Sequence, residues 1–236
     1  MTFAVFDIET RADKALLNRA FYAGDGIDDE EAYRRFVEGS RSDFPPISIH
    51  LPISIAVGEV DENYALRSVE SLALDDYSEE KLVREFWSRV ERFKGSLVTF
   101  NGRHFDLPVL ELAALRYGIA APNYFAEPNS PRYRYSDARH LDLYDFLTNR
   151  GAVRLRGGLD LLLKMIGMPG KGAIEGARVQ ELYEAGRMDD IHRYCRSDVI
   201  QTYFLLLRVE LMRGKLDHAG YLAAREAAAP FMAELA

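Results

Sequence analysis

The sequence predicts an α/β fold built on one sheet of mixed strand direction, and three observations carry that reading. Strand-like apolar runs come first, at Phe3 to Ile8, Ile47 to Val60 and Tyr64 to Ser68. Strand and helix patterns then alternate, and helical patterns close the chain. The short Val60-Asp-Glu-Asn63 link reads as a turn, which makes the second and third strands antiparallel.

Each element has its own signal. Residues 24–46 are rich in Asp and Glu, end in Pro45-Pro46, and read as an exposed acidic insertion with a short helix around Glu30 to Val37. From Ser78 to Phe93, Leu82, Val83, Phe86, Trp87, Val90 and Phe93 recur at helical spacing behind an N-cap serine. Gly95 stops that helix, and Ser96 to Phe100 is a fourth strand. A helix over 107–117 follows, then an irregular Pro- and Tyr-rich stretch to 140. Helices are expected at 141–148, 158–166, 179–184 and 188–213, with a last one over 218–235 interrupted at Pro230. No repeat and no shift in composition divides the chain, so a single domain is expected, with its core over about 3–212.

At 236 residues with 48% hydrophobic side chains, the chain can bury a substantial core. No apolar stretch approaches the roughly 20 residues that span a bilayer. The N-terminus lacks the features of a secretory signal, and the lone Cys195 excludes an internal disulfide framework; both favour the cytoplasm. Net charge is −7, yet residues 131–171 carry 8 basic and 4 acidic side chains, a local surplus suited to phosphate contact.

Acidic residues supply the chemistry. Asp7 and Glu9 stand two apart in a strand and share one sheet face. Asp7 sits inside Ala-Val-Phe-Asp-Ile, where a carboxylate needs a partner or a metal. Tyr194 and Asp198 stand four apart and share a helix face. Asp106, read alone, is a helix N-cap ahead of Pro108, a place compatible with a functional role at the end of a strand-to-helix turn. Converging carboxylates suit hard divalent cations such as Mg²⁺ or Mn²⁺.

Phe-Asp7-Ile-Glu9-Thr10, Asn101-Gly-Arg-His-Phe-Asp106 and Tyr194-x-x-x-Asp198, in that order, resemble the three motifs of the DEDD exonuclease superfamily. Arg193 stands where the histidine branch carries its His, so the tyrosine branch is indicated. Within it the chain is similar to 3′-5′ exonucleases related to the proofreading domain of B-family DNA polymerases. The resemblance implies a ribonuclease H-like fold and two divalent cations, Mg or Mn, held by Asp7, Glu9, Asp106 and Asp198. It also implies that Tyr194 hydrogen-bonds the attacking water. The implied reaction releases 5′-mononucleotides from the 3′ end of single-stranded nucleic acid, DNA rather than RNA. An exoribonuclease of the ribonuclease D kind is the alternative, and a non-catalytic binding module in a repair complex is a second. No polymerase domain fits in this length, so proofreading would act in trans, beside a repair or replication partner protein.

Around the motifs, Thr10, Asn101, Phe105, Arg132, Arg134 and Lys171 are candidate substrate contacts. Asn101 either satisfies backbone groups of its turn or positions substrate, and Phe105 is expected mainly in the core. Arg132-Tyr-Arg-Tyr135 suits phosphate contact with base stacking, or an exposed strand with its tyrosines packed. His104 is expected at the solvated surface, and Asp142 at the start or on the face of a helix. Cys195, about 100° around the helix from Tyr194, is expected to point elsewhere, packed and inert.

Overall fold

The computed structural model describes residues 2–39, 45–72, 77–126, 129–170 and 178–235. Five strands form the sheet: β1 (Phe3–Ala12), β2 (His50–Val60), β3 (Leu66–Ser71), β4 (Ser96–Thr99) and β5 (His140–Asp142). Their order is β3-β2-β1-β4-β5. The meander β1–β2–β3 is antiparallel, whereas β4 and β5 run parallel to β1. The expected α/β sheet of mixed direction is therefore present, with one strand more than expected. Residues 141–148 read as a helix, but their first part is β5, and α6 (Leu143–Leu147) starts only after it. Three residues are too few to show a strand period; all three are buried, and they pair with Leu97 to Thr99.

Ten helices among the described residues cover the sheet and its edges. On one face lie α3 (Glu79–Arg92) and α4 (Asp106–Tyr117), and on the other the long α9 (Met188–Met212). β1 divides its side chains between them. Phe6 and Ile8 pack with Phe86, Trp87 and Leu110, while Phe3 and Val5 pack with Val199, Ile200 and Tyr203. Asp7 and Glu9 continue the odd-numbered row, so the alternation of the strand sends them toward α9. α9 lies very close on β2. A methyl group placed on Gly58 would stand 2.9 Å from Val199 Cγ1.

Smaller helices complete the frame: α5 (Pro122–Phe125), α7 (Gly158–Met165), α8 (Val179–Glu184) and α10 (His218–Ala227). The last expected helix stops at Ala227 and continues as a 3₁₀ turn through Pro230, as a proline interruption requires. The described part of the stretch between β1 and β2 carries more helix than the sequence suggests. It forms α1 (Lys14–Phe21), which the sequence reading missed, and α2 (Asp29–Gly39), joined by a small core of Leu17, Ala32 and Ile49. No described helix is long and apolar enough to cross a membrane.

Candidate active site

The site begins where the pairing of β1 with its neighbours changes. On one side, β4 accompanies β1 only from Phe3 to Val5. Beyond that, the Ile8 amide donates to Asp106 Oδ1 at 3.2 Å. On the other side, the β1–β2 register slips between Glu9 and Thr10, so that Glu9 faces Ser54 and Thr10 faces Pro52. Ile53, opposite neither, is a bulge residue beside a proline that cannot donate to the ladder. Its buried side chain packs with Val179, Leu182 and Ile191 against the ring of Tyr194. A break in the ladder thus becomes the seat of the tyrosine.

Asp106 is carried by a tight turn. Asn101 has φ +68°, and a Cβ on Gly102 would fall 2.6 Å from Thr99 Cβ. The Asp142 carboxylate holds this turn, accepting the amides of Asn101 (2.9 Å) and Arg103 (2.8 Å) as well as those of Tyr144 and Asp145 at the start of α6. Asp142 is therefore an N-cap, as expected, and also the fastener of the neighbouring turn. Asp106 itself is not the cap of α4. Phe105 holds that position, and Asp106 is the first helical residue. With its carboxylate turned to the backbone of β1, its cap role passes to no side chain.

Asp7, Glu9 and Asp198 each offer a carboxylate oxygen within 4.8 Å of the others. Three of the four expected ligands are thus brought together. Asp106 is outside this set but lines the same cleft, of about 470 Å³, with Asp7, Glu9, Tyr194 and Asp198. Glu9, Asp106 and Asp198 are only 8%, 5% and 5% exposed. No Lys or Arg is among the described residues that line the cleft. Burial, together with the charges of Asp142 and Asp198, pushes the Asp106 carboxyl up to about 7. Buried and half-buried carboxylates so close, with no Lys or Arg in the described lining, form an all-oxygen donor set that fits a hard divalent cation.

Other side chains finish the walls. Thr10 Oγ1 and His50 Nδ1 share a hydrogen bond of 2.8 Å, and the His50 ring meets Phe105 edge-on at 5.1 Å. Phe105 is half-buried at the cleft rather than wholly core, and Asn101 also lines it. Gln180 on α8 accepts the Ala12 amide at 2.8 Å. His104 is exposed as expected, yet it too lines the cleft, its Nδ1 3.7 Å from Asp145. Sequence reasoning passed over Tyr33, His50 and Gln180. A histidine inside the apolar run His-Leu-Pro-Ile-Ser-Ile was a usable signal for His50; Gln180 carried none.

Cys195 does not point elsewhere. Its Sγ lies 3.3 Å from the Asp7 carbonyl oxygen and 3.9 Å from Asp7 Oδ2. Burial, with the charges of Asp7 and Glu9, holds the thiol well above its ordinary range, so the expectation of a packed residue stands. Helix α9 is pressed so tightly on β1 that a residue 100° from Tyr194 still meets the strand. Arg132 and Arg134 are not in the carboxylate cleft. They line a groove of about 260 Å³ that shares His104 with it, and Arg132 Nε donates to Glu111 at 3.1 Å. Their segment is a run of turns rather than a strand, with the rings of Tyr133 and Tyr135 6.0 Å apart. Lys171 lies outside the described residues.

A larger cavity, about 700 Å³, opens at the opposite end of β1 between the sheet and α3. Most of its charged residues are already engaged, Arg89 with Glu70 and Glu85, Arg67 with Asp61, and among the described residues it gathers no group of carboxylates close enough to hold a metal ion. The acidic cluster belongs to the smaller cleft.

Residues 42–235 match the family described as "Predicted 3'-5' exonuclease related to the exonuclease domain of PolB". The chain belongs to this family. The matched span of this exonuclease family contains Asp106, Tyr194 and Asp198, and begins after Asp7, Glu9 and the α1–α2 arm. DNA polymerase 1 of Sulfolobus acidocaldarius is 29% identical over 128 residues, covering 51% of this chain and 14% of the polymerase. The family B DNA polymerase of Pyrobaculum calidifontis superposes with a TM-score of 0.58 at 18% identity, over 89% of this chain and 24% of that one. That likeness carries the fold, which is ribonuclease H-like. Escherichia coli Exonuclease I in complex with a dT13 oligonucleotide is a looser match, TM-score 0.38 at 16% identity, over 84% of this chain and 43% of the other.

Proposed function

We propose that this chain is a metal-dependent 3′-5′ exonuclease acting on the unpaired 3′ end of single-stranded DNA and releasing 5′-mononucleotides. The observation that carries the proposal is the set of Asp7, Glu9 and Asp198 oxygens within 4.8 Å, in a cleft whose described lining includes no Lys or Arg. Two divalent cations, Mg²⁺ or Mn²⁺, would be held by these three carboxylates together with Asp106. When bound, such cations stabilise negative charge on the entering and leaving oxygens of a phosphodiester.

The chain's own groups do the rest. Asp7, Glu9 and Asp198, whose own charges repel a phosphate, would admit one by holding the cations that offset that repulsion. Tyr194, clamped by Ile53, Val179, Leu182 and Ile191, holds a hydroxyl at the cleft wall to orient the attacking water. The water oxygen joins phosphorus and gives up one proton, the P–O3′ bond to the preceding nucleotide breaks, and the released O3′ takes up a proton, so the sum is the addition of one water. Asn101, Thr10 and Phe105 border the same space and would contact the terminal nucleotide. Arg132 and Arg134, in the groove that adjoins through His104, suit phosphates further along the strand.

Digestion of 5′- and 3′-labelled oligonucleotides with Mg²⁺ or Mn²⁺ tests this. Stepwise shortening from the 3′ end is expected, with Asp7→Asn slower by about 100-fold or more. Tyr194→Phe should lower kcat while leaving cation affinity in place. Product formation that is indifferent to Asp7→Asn would overturn the assignment, and exclusive cutting of RNA would move it to the exoribonucleases.

A further inference from the structure

Helices α1 and α2 form an arm that precedes the matched family span, and its internal core shows that it is a built wall rather than a loop. It is tied down on two sides. Lys14 Nζ donates to Glu30 Oε2 on α2 at 2.6 Å and to Glu184 Oε1 on α8 at 2.5 Å. Asp13 pairs with Arg116 of α4 at 2.9 Å. These anchors set Tyr33 of α2 on the wall of the carboxylate cleft, beside His50, Pro45 and Gln180. The Lys14 ammonium lies 5.0 Å from the centre of the Tyr33 ring, fixing the ring by a cation–π contact.

An aromatic ring held in place beside a phosphate-handling site is the sort of platform on which single-stranded bases stack, whatever their sequence. We propose that Tyr33 is a substrate-binding residue: its ring stacks on a nucleobase near the unpaired 3′ end, and the Lys14 clamp holds it there. This rests on the exonuclease reading of the cleft and adds to it a base-contacting element from outside the three acidic motifs. The cleft, about 470 Å³, is within the size range of pockets that take a small-molecule-sized unit.

Tyr33→Leu keeps an apolar side chain for the α1–α2 core but removes the ring. On a single-stranded oligodeoxynucleotide its KM should rise about tenfold, the equivalent of about 1.4 kcal/mol, with kcat within about twofold of the parent and Tm little changed. Tyr33→Phe should behave as the parent. An abasic residue is then placed in turn at each of the last three positions of the substrate. At one of them the difference between parent and Tyr33→Leu should vanish, which loss of packing alone would not produce. An unchanged KM, or a defect that persists at every abasic position, overturns the proposal. Binding of the same oligonucleotides, read by fluorescence anisotropy in Ca²⁺, keeps the two readings apart. A strand that is bound with Tyr33-dependence but never cut removes the exonuclease assignment and leaves Tyr33; a strand cut equally by parent and Tyr33→Leu does the reverse.

Discussion

Asp106 shows how one carboxyl can be held in reserve. In the folded chain without a cation it keeps its proton up to about pH 7, whereas in an unfolded chain an aspartate gives it up near 3.9. Between those values the folded state binds more protons than the unfolded one, so this residue's contribution makes stability fall as pH rises. Asp106→Asn, neutral at every pH, should therefore raise the Tm of the metal-free protein above pH 7. Each kcal/mol recovered is worth about 2–4 °C at this chain length. The same variant should lose activity. In the parent, at subsaturating cation, rate should climb from pH 6 to 8, because the proton and the cation compete for the same oxygens. A flat profile across that range would show that Asp106 does not bind the cation. Thermal melts and pH–rate profiles read both effects.

At the scale of elements, the site depends on how closely α9 lies on the sheet. Gly58→Ala would drive a methyl into Val199 Cγ1, a β-branched side chain with little freedom to turn aside. It should cost about 1–3 kcal/mol of stability and lower kcat, since Tyr194 and Asp198 ride on the displaced helix; urea unfolding and steady-state kinetics check it. Full stability with full activity would mean the contact relaxes freely. Much of this scale was legible beforehand. Asp-x-Glu in an apolar strand and Tyr-x-x-x-Asp in a helix each fix a shared face by periodicity alone, and both pairs do line the cleft. What stayed hidden depends on distance along the chain. β5 is a strand only because β4 lies beside it, α1 forms around a core completed by Ala32 and Ile49, and Cys195 meets Asp7 only once α9 has docked. The cap expected at Asp106 moved to Phe105 because the Ile8 amide, left without a strand partner, claimed the carboxylate.

Across the whole molecule, the cation should act as a stabilising ligand as well as a reagent. A folded-state site at 100 times its Kd adds about 2.7 kcal/mol, so Mg²⁺ or Mn²⁺ should raise Tm by several degrees in the parent and not in Asp7→Asn/Asp198→Asn. Equal shifts in both would place cation binding elsewhere. The groups responsible are scattered. Asp7 belongs to the first strand and Asp198 to the ninth helix, 191 positions later in the sequence. On a ribosome that separation is a delay: a chain released before α9 has Asp7, Glu9 and Asp106 but neither Tyr194 nor Asp198. The cluster of Asp7, Glu9 and Asp198 is thus assembled only after α9 has been made and has docked on the sheet, and a product truncated before α9 lacks it by construction.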